Sequence, residues 1–242
     1  TVRVANVAAF FLGAALFSVI IYLPLFAQGV LGDSATRSGV LLIPLNFAWI
    51  TASALSGRYV TRTGRYRIFP VIGSPLALVG VYLLSRLNTS SGASAIIVAS
   101  VFLGCGMGLT VQTYVIALQN SVARSDLGVA TAANQFFRSI GGALAVAAYG
   151  TLLISRLGTE LARRSVEGIS PQELLRAPGT ARHLPPTVVH GVHAALSTAL
   201  ERVFVWTLPL LAAAVAMSLL LRETPLRTSA QPEMPAEVSG TD

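Results

Sequence analysis

Apolar residues dominate six stretches of the chain, 4–28, 39–57, 68–87, 93–118, 128–154 and 203–221. Each is close to the roughly 20 residues that a helix needs to cross a bilayer core. None alternates polar and apolar positions with the period of two that a membrane barrel requires, so each is read as a helix. The pattern predicts an all-α polytopic membrane protein in which residues 1–222 form one six-helix transmembrane bundle. Two segments break the rhythm. Residues 155–202 form a long polar connection between the fifth and sixth spans. Within it, Ser170-Pro171-Gln172-Glu173 combines an N-cap, a first-position proline and a returning glutamate, which predicts a short surface helix through Leu174 and Leu175. Residues 223–242, with Pro225, Pro232 and Pro235 among Ser, Thr, Glu and Gly, are read as a disordered tail.

Composition sharpens the membrane reading: 53% of the 242 residues are hydrophobic and 11% charged, and the mean hydropathy is +0.68. In a soluble chain the net charge of +7 would suggest nucleic acid. Here the arginines sit beside apolar spans rather than on an aromatic-rich polar surface, so no nucleic-acid partner is expected, and the lipid bilayer takes that place. The single cysteine, Cys105, lies inside an apolar stretch, which excludes a disulfide framework and a thiolate metal site. The first apolar stretch is longer than a signal-peptide core, and the chain starts at Thr1; it is read as a fragment or a processed chain.

Charge then orients the bundle, because short arginine-rich loops stay on the cytoplasmic side during insertion. The segment 57–67 carries Arg58, Arg62, Arg65 and Arg67 and is placed inside. Loops 31–38 and 88–92 then fall outside, 119–127 inside, and both termini in the cytoplasm. Arg3, Arg124, Arg222 and Arg227 join the inside, against Arg37 and Arg86 outside. The long 155–202 connection is external.

Small residues are frequent in the spans. Without a hydrophobic drive between helices in lipid, close backbone approach favours association, so Gly104, Gly106, Gly108, Gly141 and Gly142 are assigned to helix packing. Pro24, Pro44, Pro75 and Pro209 are positions where a helix can bend.

Arg138 is the most informative polar residue. It lies deep in the fifth span, one turn after Asn134 and three residues after Gln135. An ionisable group at such depth faces a bundle interior or a watery cavity. Two readings stay open: a functional group on a substrate path, or a structural arginine bonded to carbonyls or snorkelling toward the cytoplasm. No Asp or Glu falls within any of the six spans, so a carboxylate that carries protons must lie elsewhere. Further candidates for a substrate path are Tyr22, Gln28, Asn46, Trp49 and Gln112, each equally open to interhelical bonding or an aromatic belt. His190 and His193, with His183 nearby, have metal-compatible spacing but no accompanying carboxylate motif; no metal site is assigned. No span holds the Ser and His pair of a membrane hydrolase, and no enzymatic activity is expected.

The loop Gly57-x-x-x-Thr61-Arg62-x-Gly64-Arg65-x-Arg67 resembles the cytoplasmic signature loop of the major facilitator superfamily, which lies between the second and third helices of a six-helix half. Pro24-Leu25-Phe26-Ala27-Gln28 followed by Gly32, Ser34, Gly39 and Pro44 resembles the fourteen-helix drug:proton antiporter branch (EmrB/QacA type) near the start of its C-terminal half. Asn134, Arg138, Gly141, Gly142 and Gly150 resemble that branch's penultimate helix, and Glu223-Thr224-Pro225-Leu226-Arg227 its ending. Thr61 stands where the family loop has aspartate.

The resemblance implies one half of a secondary transporter in the plasma (inner) membrane, exchanging protons for hydrophobic, cationic or amphipathic compounds by alternating access. It implies a missing N-terminal half as partner and no cofactor beyond the proton gradient as energy source. Arg138, Asn134 and Gln135 would then line or gate the cavity. The alternative is a free-standing six-helix partner or structural subunit, or a truncated product without transport.

Overall fold

In hydrocarbon every main-chain N–H and C=O must bond within its own segment, which a helix achieves and an open strand does not. The computed structural model describes residues 1–164, 166, 170–176 and 186–221, and among them every regular element is helical. The chain runs α1 Val2–Gly29, α2 Ala35–Val40, α3 Ile43–Thr63, α4 Ile68–Leu84, α5 Ala93–Asn120, α6 Leu127–Arg163, α7 Pro171–Arg176 and α8 Pro186–Leu220. A 3₁₀ turn at Arg124–Asp126 leads into α6. The expected tail 223–242, including Glu223-Thr224-Pro225-Leu226-Arg227, lies outside the described residues, as does His183.

Among the described residues, five stretches are long and apolar enough to cross a membrane. They contain α1, α2 with α3, α5, α6 and α8. The sixth, α4, is apolar but has 17 residues, about 25 Å of helix against a hydrocarbon core of about 30 Å. Beyond Leu84, the N–H groups of Ser85, Arg86 and Leu87 turn back onto the carbonyls of Val81, Leu83 and Leu84. The chain is a multi-pass membrane protein with a six-helix bundle.

Hydropathy marks where lipid ends, not where a helix ends, and three helices outrun their apolar spans. Thus α3 continues through Gly57, Arg58, Thr61 and Arg62 to Thr63, so most of the arginine-rich segment is helix rather than loop. Gly64, at φ +74, supplies the left-handed residue that closes it. The next residues form the actual turn, pinned by Tyr66, whose side chain is fully buried. Likewise α6 and α8 reach into 155–202, where Leu157 and Leu161 on α6, continuing the stripe of Leu153, and Val192, Leu196 and Leu200 on α8 are all buried. Repeats of four keep these side chains on one face, so the two helices gain a dry seam beyond their apolar spans. The expected surface helix is α7, with the Glu173 N–H donating to the Ser170 hydroxyl at 3.1 Å.

Packing follows the small residues. The α5 helix lies against α3 on one side and α4 on the other, while α1 packs on α6 and α8, and α4 on α8. Pro24, Pro75 and Pro209 sit inside helices, but Pro44 occupies the first turn of α3, where its missing N–H costs no helical bond.

Candidate functional site

Every long helix leaves some large apolar side chains uncovered, and those on α3 and α6 include Phe47, Ile50, Leu55, Val129, Phe136 and Leu144. These two helices flank α5, which touches both. Each also carries polar residues at membrane depth.

On the α3 side, a cleft of about 550 Å³ is lined by Trp49, Ser53, Gly57, Arg58 and Thr61 of α3 and by Gln112 of α5. These α3 positions repeat every four residues or close to it, which aligns them on one stripe. The Ser53 hydroxyl faces the Gln112 Oε1 at 3.4 Å. Two candidates from the spans thus meet three residues of the arginine-rich segment. Asn46 does not line the cleft; it is exposed and its Nδ2 returns to the Leu42 carbonyl of its own helix at 2.9 Å. Ser53 escaped sequence reasoning because a serine in a span satisfies its hydroxyl on its own helix so often that it carries no signal; its four-residue distance from Trp49 was the available clue.

The α6 side gathers Asn134, Gln135 and Arg138. Asn134 is buried, and its Nδ2 donates to the Ala5 carbonyl and to the Asn6 Oδ1, both at 3.1 Å. It therefore ties α6 to α1 and leaves little of itself toward any cavity. Asn6 was overlooked because it sits near the start of its span, where a polar side chain is unremarkable. Gln135 is exposed, and its Oε1 accepts from the half-buried Arg138 guanidinium. Among the described residues Arg138 has no carboxylate partner: the ion pairs are Asp33 with Arg37 and Glu160 with Arg163 and Arg164. A guanidinium within an apolar span and without an acid is a strong hydrogen-bond donor for an anion or for a carboxylate supplied from outside this bundle.

The remaining candidates stand apart from both groups. Tyr22 is buried and its hydroxyl donates to the Val146 carbonyl at 2.9 Å, a second tie between α1 and α6. Gln28 donates to the Ser38 hydroxyl at 2.9 Å and so joins α1 to α2. His190 is exposed on the part of α8 beyond its apolar span.

The arginine-rich segment is held by its own helix and by α8. The Thr61 hydroxyl donates to the Arg58 carbonyl at 2.9 Å, and the Arg67 guanidinium to the Leu219 carbonyl at 3.2 Å. Arg62 and Arg65 are exposed. The packing glycines divide by neighbour. A Cβ on Gly104 or Gly108 would meet the carbonyls of Leu45 or Trp49 on α3, and one on Gly106 would meet Gly73 and Ala77 on α4. Gly141 lies against the Phe10 carbonyl of α1, whereas Gly142 faces the Phe17 ring.

Residues 2–146 match the model of the Major Facilitator Superfamily. The chain is 33% identical over 223 residues to an uncharacterized MFS-type transporter of Mycobacterium tuberculosis, an alignment covering 92% of this chain and 32% of that protein. It is 35% identical over 165 residues to the multidrug transporter protein MdtP of Bacillus subtilis, covering 66% of this chain and 30% of MdtP. Against the aspyridones efflux protein of Neocamarosporium betae it is 36% identical over 172 residues, 71% of this chain and 30% of that protein. The chain thus spans about a third of the length of the curated relatives it matches.

Proposed function

The chain belongs to the Major Facilitator Superfamily, and on that premise we propose that it forms the C-terminal six-helix half of a fourteen-helix, proton-coupled efflux antiporter. The observation that carries this reading is Arg138 on α6, which bonds exposed Gln135 and has no carboxylate partner among the described residues. A lipid-facing helix would be a costly place for this pair, because hydrocarbon offers nothing to the guanidinium charge or to the remaining polar atoms of the carboxamide beyond the bond they make to each other. A second six-helix half packed across α3 and α6 would enclose both the 550 Å³ cleft and Arg138, turning these faces into the walls of a shared cavity. Multidrug and other efflux proteins among the relatives favour export as the direction.

In this account a small hydrophobic, cationic or amphipathic compound passes between the halves, contacting Trp49, Gln112, Gln135 and the apolar side chains beside them. The proton gradient drives it, and the coupling carboxylates come from the other half, since the spans of this chain supply none. Arg138 is the counter-charge such a carboxylate would face. The arginine-rich turn lies in the cytoplasm of a plasma (inner) membrane protein, with both termini of this chain on that side. Thr61 bonds its own helix, so this turn lacks the acid that pairs with arginine in the family loop.

The test is substrate extrusion by the intact protein that carries these residues, with Arg138→Ala, Arg138→Lys and wild type expressed at equal membrane levels. Loss of extrusion in Arg138→Ala supports the reading, whereas unchanged extrusion removes Arg138 from the mechanism.

A further inference from the structure

We propose that the gap between α4 and α8 is a binding groove for one anionic phospholipid. An acyl chain lies between the helices, and the head group lies against Arg86 and Arg202. The proposal needs only that the chain spans a membrane and is independent of the transport reading.

The groove has a volume of about 540 Å³ and an entirely apolar lining, formed by Leu78, Val79 and Tyr82 of α4 and Val205, Leu208, Pro209 and Ala212 of α8. Toward the end where α4 starts and α8 finishes, the seam is closed: the Ser74 hydroxyl meets the Ser218 hydroxyl at 3.2 Å, and Arg67 reaches the Leu219 carbonyl. Toward the opposite end no such bond joins the two helices among the described residues. There α8 carries Pro209, which has no N–H for the Val205 carbonyl one turn earlier, so both residues on the groove wall belong to a weakened turn.

The charges at the open end select the occupant. On α8, Arg202, Val205, Pro209 and Ala212 recur at three- and four-residue steps, which puts Arg202 on the groove stripe one turn beyond its apolar wall. On α4, Arg86 follows Tyr82 by four residues, in the turn that ends the helix. Both arginines are exposed. Neither belongs to an ion pair among the described residues. Glu201 precedes Arg202 and therefore points about 100° away from the stripe. Tyr82, one turn before Arg86, and Trp206, one turn after Arg202, are both exposed, the pairing of aromatic and basic side chains that marks the head-group zone. An apolar slot that ends beneath two basic side chains fits a molecule with a hydrocarbon tail and a phosphate head. A free phosphate would use only the rim, and a zwitterionic lipid would present the arginines with its own cation.

The experiment is native mass spectrometry of the purified full-length protein, delipidated in detergent and titrated with phosphatidylglycerol or phosphatidylcholine of identical acyl chains. Two basic side chains, at about 1 kcal/mol each, predict a preference of about 30-fold for phosphatidylglycerol. That preference falls to near unity in the double variant Arg86→Gln/Arg202→Gln, whose positions are exposed and outside the packed core. Ala212→Trp, which fills the slot, lowers first-site occupancy by both lipids while leaving the melting temperature of the protein unchanged. Equal retention of the two lipids by wild type overturns the proposal, as does a phosphatidylglycerol preference that survives the double arginine variant. Displacement of phosphatidylglycerol by millimolar inorganic phosphate alone would overturn the acyl-chain part and leave an anion rim.

Discussion

Gly104 on α5 lies so close to α3 that a Cβ at this position would run into the main-chain carbonyl of Leu45. Gly108, one turn on, stands in the same relation to the Trp49 carbonyl. Between them they set the approach of α5 to the helix that carries the cleft. Backbone cannot yield as a flexible side chain can, so a larger residue must part the helices. Gly104→Val is expected to destabilise the protein by about 1–3 kcal/mol. Gly128→Ala, where an added Cβ meets nothing within 4 Å, serves as the neutral comparison. Thermal unfolding in detergent reads both; equal melting temperatures would contradict the close approach.

Asn134 separates a structural from a transport role. Its carboxamide bonds the Ala5 carbonyl and Asn6 across the α1–α6 contact, and interhelical hydrogen bonds in membranes are worth about 0.6 kcal/mol on average and about 1.7 at most. Asn134→Ala should therefore lower stability by roughly 1 kcal/mol, while Gln135→Ala, exposed on the same helix, leaves stability unchanged and weakens export. The reverse outcome, a stable Asn134→Ala with impaired export, would place Asn134 on the substrate path.

How far these roles could be read in advance depended on what kind of signal each residue gives. Six helices were legible because burying backbone in lipid demands long apolar runs, and α1 and α5 fall where those runs fall. The ends were not, because the continuation of α3 through Arg58, Thr61 and Arg62 and the leucine seam of α6 and α8 depend on tertiary cover rather than on hydropathy. Among the polar residues, sequence could rank Arg138 by the cost of its burial. It could not tell that Asn134 and Tyr22 spend their bonds on α1–α6 packing whereas Gln112 opens into a cleft, since that depends on which way each helix is rotated. Asn6 emerges only from proximity, and Ser53 had only its four-residue distance from Trp49 to mark it.

The turn after α3 rests on Gly64, whose φ of +74 is a conformation that other residues adopt with strain. Gly64→Ala is expected to cost about 1 kcal/mol and to loosen the Arg67 contact to Leu219. Thr61→Asp, by contrast, places a carboxylate at an exposed position near Arg58 and Arg65 and should alter stability by less than about 1 kcal/mol, as surface ion pairs do. Melting temperatures of the two variants against wild type check this order; a Gly64→Ala protein as stable as wild type would contradict the left-handed closure.

The central claim is that α3 and α6 face a water-filled cavity shared with another half, not lipid. The most direct measurement replaces Cys105 by Ser in the full-length protein and introduces single cysteines at Ser53, Gln135 and, on α4 where the account places lipid, Val79. Each is then treated in membranes with a charged, water-soluble thiol reagent. The account predicts rapid labelling at Ser53 and Gln135, slowed by a transported compound, and no labelling at Val79. Unreactive cysteines at both Ser53 and Gln135, or labelling that no transported compound slows, would contradict it.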